Sequence, residues 1–168
     1  MIYSLVGYYS LILGLIIGLL LFYFLYKNFN NSKILDTKVL SFTFLQFFFV
    51  VVSFLCLISS FVISDFSNET VFNNSHTTKP LFYKISGTWG NHEGSLLLWL
   101  LVLTLFILLF LVSTKNQPVK YKILTLVFQQ IIIVGFFLFL IKTSNPFNYV
   151  FPTPVSYTHL TLPTTPYV

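Results

Sequence analysis

The residues best suited to chemistry form one short polar run, GTWGNHEGSLLLW, at positions 87–99. It places the imidazole of His92 beside the carboxylate of Glu93, directly before a long apolar segment. Such a pair suits acid–base chemistry or contact with a substrate or cofactor, but no partner ligand stands at the spacing of a zinc motif. Asn91 is a suitable helix N-cap, and a carboxylate in the first turn complements the helix dipole. We therefore predict that the run positions a helix.

The remaining polar side chains near or within apolar segments also have structural interpretations. His76 lies in an Asn/Ser/Thr-rich stretch and is predicted to be a surface residue. Cys56 is the single cysteine and lies in an apolar run, so it forms no CxxC pair and is predicted to be a packing residue. Three glutamines inside apolar segments are predicted to form hydrogen bonds between helices, each worth roughly 0.6 kcal/mol: Gln46, Gln129 and Gln130.

The composition places the chain in a membrane. Of its 168 residues, 56% are hydrophobic, 20% aromatic and 8% charged, too few charges to cover a water-facing surface. The net charge of +5 comes from lysines scattered along the chain, without a clustered basic face. Nucleic acid is therefore excluded as a partner, and membrane lipid is expected.

Four apolar runs free of Asp, Glu, Lys, Arg and His are long enough to cross a bilayer as helices. They span residues 5–26, 39–63, 95–113 and 123–141. The sequence therefore predicts an all-α integral membrane protein with four transmembrane helices. Gly7, Gly14 and Gly18 share one face of the first helix, which predicts close packing against another helix.

The lysine distribution predicts an orientation. Segments 27–38 and 114–122 carry six lysines, whereas segment 64–94 and residue 142 together carry three. By the positive-inside rule, the amino terminus and the larger loop at 64–94, between the second and third helices, lie outside.

The absence of titratable groups from the four runs limits the chemistry that they can perform. Proton pumps, ion-coupled transporters and voltage sensors use such groups within the membrane. A haem bound between these helices would also lack the usual axial histidine. A cofactor site must therefore use the outside loop or residues absent from this chain.

The run at 87–99 closely resembles the amino-terminal signature of the CcmF family of cytochrome c biogenesis proteins, which are haem lyase subunits. Three further stretches fit the same family in the same order, VISDF at 62–66, PLFYK at 80–84 and TSNPF at 143–147. The resemblance covers roughly residues 1–150 and predicts that residues 1–154 are the amino-terminal transmembrane region of a longer protein. A relative dedicated to nitrite reductase cytochromes shares these motifs.

This resemblance implies attachment of haem to the cysteine thiols of a CxxCH motif in apocytochrome c, with CcmE-type and CcmH-type proteins as partners. The implied location is the bacterial cytoplasmic membrane or the mitochondrial inner membrane. The family's haem-ligating histidines and tryptophan-rich segment are absent, so we expect no catalytic, cofactor-binding or metal residue here and no activity from this piece alone. The residues that match the family pattern are expected to be structural: Trp89, Gly90, His92, Glu93, Gly94, Ser95, Trp99, Asn145 and Pro146.

Residues 155–168 form a Thr- and Pro-rich tail without Asp, Glu, Lys or Arg. Their first ten residues match one reading frame of a common transposase sequencing adapter. We therefore expect the tail to be foreign to the protein, and His159 not to be a haem ligand. The other interpretation is a disordered linker.

Two other functions are consistent with parts of the pattern. A non-catalytic membrane scaffold or assembly subunit would explain why the spans lack charge. Haem transport across the membrane is the second alternative, although the spans offer no polar lining for a passage.

Overall fold

The computed structural model describes residues 1–27, 35–114 and 117–150, which form six helices. Four are long: α1 (Ile2–Lys27), α2 (Leu35–Val62), α5 (His92–Ser113) and α6 (Val119–Lys142). Two short helices, α3 (Glu69–Asn74) and α4 (Leu81–Gly87), lie between α2 and α5. The tail at 155–168, with His159, is outside the described residues, as are Lys33 and Lys115.

The four long helices pack in a closed ring in which α1 contacts α2 and α6, and α5 contacts the same two helices. The starts of α1 and α5 meet the ends of α2 and α6, because the amino-terminal ammonium of Met1 contacts Asp65 and His92 contacts Ser144. We call this the loop end of the bundle. The opposite end carries Lys27 and other lysines, and we call it the lysine end.

All four long helices are long and apolar enough to cross a membrane. The prediction of an all-α integral membrane protein with four transmembrane helices is therefore confirmed. The orientation stays a prediction from the lysine distribution.

Each long helix extends beyond its apolar run, because helical hydrogen bonding continues into polar residues at the membrane boundary. His92 and Glu93 form the first turn of α5, as the predicted N-cap at Asn91 requires. Lys122, which the sequence placed in a connecting segment, lies in α6 and is buried.

The segment at 64–94, predicted as a loop, contains the two short helices. Helix α3 begins at an N-cap, Asn68, whose side-chain oxygen accepts a hydrogen bond from the backbone N–H of Val71 at 3.2 Å. Helix α4 follows Pro80, whose fixed φ suits the entry into a helix. Helices of six and seven residues carry too little periodic pattern to be read from sequence.

The glycine stripe of α1 faces bulky side chains of other segments. The ring of Phe147 occupies the place of a Cβ at Gly7, and a Cβ at Gly14 would lie 2.9 Å from the ring of Phe137 in α6. Phe137 and Phe147 are both buried. The predicted close packing is confirmed. Phenylalanine rings enter the space that Gly7 and Gly14 leave free, and the side-chain amides of Gln46 and Gln130 enter the space at Gly18.

The amides inside the bundle only partly match their predicted role. Gln130 of α6 donates from Nε2 to the carbonyl oxygen of Gly18 in α1 at 3.1 Å, which is a hydrogen bond between helices. Gln46 of α2 is fully buried beside Gly18, but its amide has no hydrogen-bond partner among the described residues. Among the described residues, Gln130 is thus the one glutamine of the three that forms the predicted bond, since the side-chain oxygen of Gln129 is also buried without a partner. Cys56 is buried as expected.

Replacing Gly7 with alanine should destabilise the bundle, because the new methyl group overlaps the buried ring of Phe147. We expect a loss of about 1–3 kcal/mol in the free energy of unfolding, measured by denaturant titration in detergent. Gly135→Ala is the matched control, since nothing lies within 4 Å of a Cβ there. Equal losses in the two variants would contradict the packing described here.

Candidate functional site

A polar cavity of about 440 Å³ opens at the loop end of the bundle. Its walls come from α3, from the start of α5 and from the segment that follows α6. Carboxylates, amides and hydroxyl groups form most of the lining, which includes Glu69, Asn73, His92, Glu93 and Asn145. The cavity brings together residues of two predicted motifs that are about 50 positions apart in the chain.

His92 connects two transmembrane helices across this cavity. Its Nδ1 shares a hydrogen bond of 2.8 Å with the hydroxyl of Ser144, just beyond the end of α6. Ser144 is buried, whereas His92 is exposed. The hydroxyl of Ser95 donates to the backbone oxygen of His92 at 2.9 Å, so the first turn of α5 is reinforced on the same face.

Asn91 holds the junction between α4 and α5. Its side-chain oxygen accepts a hydrogen bond from the backbone N–H of Gly94 at 2.7 Å, which confirms the predicted N-cap. Its amide nitrogen donates to the backbone oxygens of Gly87 at 2.8 Å and Thr88 at 3.3 Å. A Cβ at Gly94 would overlap the carbonyl group of Thr88, so this position requires glycine.

The charges on the cavity wall are acidic. Glu93 lies in the first turn of α5 and Glu69 in the first turn of α3, where each meets the positive end of a helix dipole. On the same side of the bundle, partial burial raises the pKa of the Tyr149 hydroxyl, and Tyr9 adds to this rise. In the described residues, no three His, Cys, Asp or Glu side chains are close enough to hold a metal ion.

Asn68 is the main residue of the loop end that the sequence did not reveal, and it lies beside the cavity without lining it. It is fully buried, and its amide nitrogen donates to the hydroxyl of Ser4 at 3.2 Å and to the backbone oxygen of Pro146 at 3.0 Å. Its oxygen caps α3. One side chain therefore joins the start of α1, the start of α3 and the segment after α6. An Asn directly before an acidic residue is an N-cap signal, but it does not identify the distant partners.

The backbone adds a second connection between α3 and the segment after α6. The N–H of Glu69 donates to the carbonyl of Asn148 at 2.9 Å, and the N–H of Val150 donates to the carbonyl of Ser67 at 3.0 Å. These bonds form an isolated antiparallel bridge. The segment after α6 thus completes the cavity wall as an ordered part of the fold.

The Asn-Pro-Phe motif shapes that segment. The side-chain oxygen of Asn145 accepts a hydrogen bond from the backbone N–H of Phe147 at 3.0 Å, which closes a tight turn. Pro146 is buried with its carbonyl on Asn68, and Phe147 packs on Gly7 of α1.

Of the nine predicted residues, Gly94, Ser95 and Pro146 do not line the cavity but accept or donate the hydrogen bonds given above. The other six separate into two groups. His92, Glu93 and Asn145 lie on the cavity wall. Trp89 and Trp99 are exposed away from it, at 42% and 60% of their surface, and Gly90 is also exposed outside the lining.

Comparison with known proteins identifies similar chains, although no protein-family model matches. The cytochrome c-type biogenesis protein CycK of Rhizobium meliloti is 46% identical over 108 residues, which cover 64% of this chain and 16% of CycK. The cytochrome c-type biogenesis protein CcmF of Haemophilus influenzae is 37% identical over 147 residues, 87% of this chain and 23% of that protein.

A solved structure of a similar protein supports the same relationship. The cytochrome c heme lyase CcmF superposes with a TM-score of 0.80 at 27% sequence identity, covering 90% of this chain and 26% of that one. The chain thus spans about a quarter, or less, of the length of these relatives.

Replacing Asn68 with alanine should loosen the loop end, because it leaves a buried carbonyl on Pro146 and the N–H of Val71 without their partner. We expect a loss of about 1–3 kcal/mol in the free energy of unfolding. Asn73→Ala, at an exposed position of the same helix, should change it by less than about 0.5 kcal/mol. A similar stability of both variants would contradict the central role of Asn68.

Gly94→Ala should be among the most damaging single changes in the chain, because the methyl group meets backbone that has no freedom to rotate away. We expect a loss at or above about 3 kcal/mol, seen as poor recovery of folded protein in detergent. Gly90→Ala is the control, since its Cβ would lie at 3.4 Å from the nearest atom. If Gly94→Ala folds as well as the control, the junction described here is incorrect.

Proposed function

We propose that this chain, which belongs to the CcmF family of cytochrome c-type biogenesis proteins, supplies a rigid helical platform for attaching haem to apocytochrome c. The observation that carries the proposal is the interlocked loop end, where Asn68 joins α1 and α3 to the segment after α6, and the motif residue His92 joins α5 to that segment. Such a platform would hold the outer ends of the membrane helices in fixed positions. It would thereby orient the neighbouring parts of a longer family member.

The motif residues act in this proposal as positioning residues. Asn91 uses both atoms of its amide on the chain's own backbone, and the Nδ1 of His92 is engaged by Ser144. Asn145 uses its side-chain oxygen to close the turn before Phe147. Their hydrogen-bonding capacity is therefore directed at helix ends, which supports a structural role over direct contact with substrate.

Haem is the cofactor implied by the family, but the cavity at the loop end does not suit it. The cavity at the loop end is lined mainly by polar groups, whereas a porphyrin requires apolar walls. His92 is the one histidine on that wall, and one of its ring nitrogens is already bonded. His76 lies elsewhere, exposed and within 3.2 Å of Thr78. We therefore place haem ligation outside the described residues.

The proposed platform role in the CcmF family also implies partner proteins and a particular membrane. The loop end, which the lysine distribution predicts to face outside, would meet apocytochrome c and the CcmE-type and CcmH-type proteins. The membrane would be the cytoplasmic membrane of a bacterium or the inner membrane of a mitochondrion. Membrane integration itself rests on the four spans.

The role of His92 can be tested in a full-length member of the family. His92→Ala should lower the amount of protein in the membrane, because the bond to Ser144 contributes about 1 kcal/mol. His92→Asn keeps a polar atom near the Nδ1 position and should restore that amount. In both variants the haem attached to c-type cytochromes, measured by haem staining per molecule of family protein, should stay close to the unmodified level.

Two control variants distinguish a structural role of His92 from a role in the reaction. Ser144→Ala should reproduce the lower accumulation of His92→Ala, while His76→Ala should change nothing, since His76 is exposed on the loop. Normal accumulation of His92→Asn with lost haem attachment would show that the imidazole takes part in the reaction and would refute the platform role.

A further inference from the structure

Helix α4 carries an apolar surface that the other described residues leave exposed. Leu81, Phe82 and Tyr83 are exposed over 58%, 75% and 62% of their surface, and Trp89, just beyond the helix, over 42%. We call these four residues the aromatic foot. Side chains of this size seldom remain together in water, so the foot requires an apolar partner.

The depth of α4 indicates which partner it has. The helix packs against α2, and a Cβ at Gly87 would lie 3.4 Å from the ring of Phe61. Phe61 belongs to the last turn of α2, within the segment long and apolar enough to cross the membrane. The Gly87 end of α4 therefore lies beside the end of a span.

The surroundings of α4 continue the lipid-facing surface of the bundle. Ile63, directly after α2, is 55% exposed, and Lys84 donates from Nζ to the hydroxyl of neighbouring Ser64 at 2.7 Å. Lys84 thus ties α4 to the turn that follows α2, while the four residues of the aromatic foot stay exposed. Trp and Tyr are the residues that concentrate at the boundary between headgroups and acyl chains.

We propose that α4 and Trp89 form an interfacial anchor, which inserts the aromatic foot into the lipid leaflet at the loop end. Burial of a Phe or Leu side chain in an apolar medium is favourable, whereas spanning the bilayer is excluded for seven residues. The partner is the lipid surface itself. Because Asn91 ties the end of α4 to the start of α5, the anchor also sets the height of the polar cavity above the membrane.

Single-tryptophan variants of the whole chain, reconstituted into phosphatidylethanolamine–phosphatidylglycerol vesicles, test this proposal. Trp99→Phe keeps Trp89 as the single tryptophan, and Trp89→Phe keeps Trp99. Trp99 lies roughly 10 Å from the start of α5, measured along the helix axis. A third variant combines Phe82→Trp with both tryptophan replacements. Brominated lipids carry bromine either near the headgroup or near the bilayer centre. Each kind quenches the fluorescence of tryptophans that lie at the depth of its bromine atoms. Iodide quenches tryptophans in water.

The expected result is a large loss of fluorescence at positions 82 and 89 with the shallow bromines and a small loss with iodide. Trp99 should respond more to the deep bromines. The matched control replaces Thr77, an exposed loop residue before α4, with tryptophan in the same background, and should respond mainly to iodide.

Three outcomes would overturn the proposal. Equal bromine quenching at positions 82 and 77 would show that α4 is no closer to lipid than the loop. Strong iodide quenching at position 82 would place the foot in water. Protection from both quenchers, together with a dimeric mass in detergent, would show that a second copy of the chain covers it. Circular dichroism of each variant establishes that the helices are retained.

Discussion

Everything at the loop end follows from the requirement that buried helix ends find hydrogen-bond partners. A membrane helix satisfies its own backbone along its length but leaves its terminal N–H and C=O groups unpaired. In this chain the start of α1, the starts of α3 and α5, and the segment after α6 converge at one place. Asn68, Asn91 and the His92–Ser144 pair satisfy or bridge these ends, so a few side chains connect the helix ends at the loop end.

This arrangement explains why a polar motif stands directly before a very apolar helix. The Asn-His-Glu-Gly run supplies a cap, a cross-helix bond, a charge at the helix dipole and a position without a side chain. Each property is needed where a transmembrane helix leaves the membrane and turns sharply. The polar cavity is the space enclosed by these connections, and its acidic and amide lining differs from the apolar pocket that a porphyrin needs. For a member of the CcmF family, the motif is thus best understood as part of the platform.

Particular helices and residues show which features of the fold could be predicted from the sequence. The four spans and the N-cap at Asn91 were predictable, because composition and capping act over a few residues. Helices α3 and α4 were missed, since helices this short are stabilised by packing and not by their own periodicity. Asn68 was missed for another reason: its partners lie 64 and 78 positions away, and no local pattern specifies them.

The sequence by itself therefore determined the environment of the chain, the number of its spans and the residues suited to helix ends, because these depend on short-range chemistry. Only the tertiary structure decided which ends meet, which side chains fill the glycine stripe and which polar atoms share a cavity. Those outcomes depend on the faces that the helices turn toward one another. The ring of Phe147 on Gly7 illustrates the difference, since both residues are visible in the sequence but their contact exists only after α1 and α6 have packed.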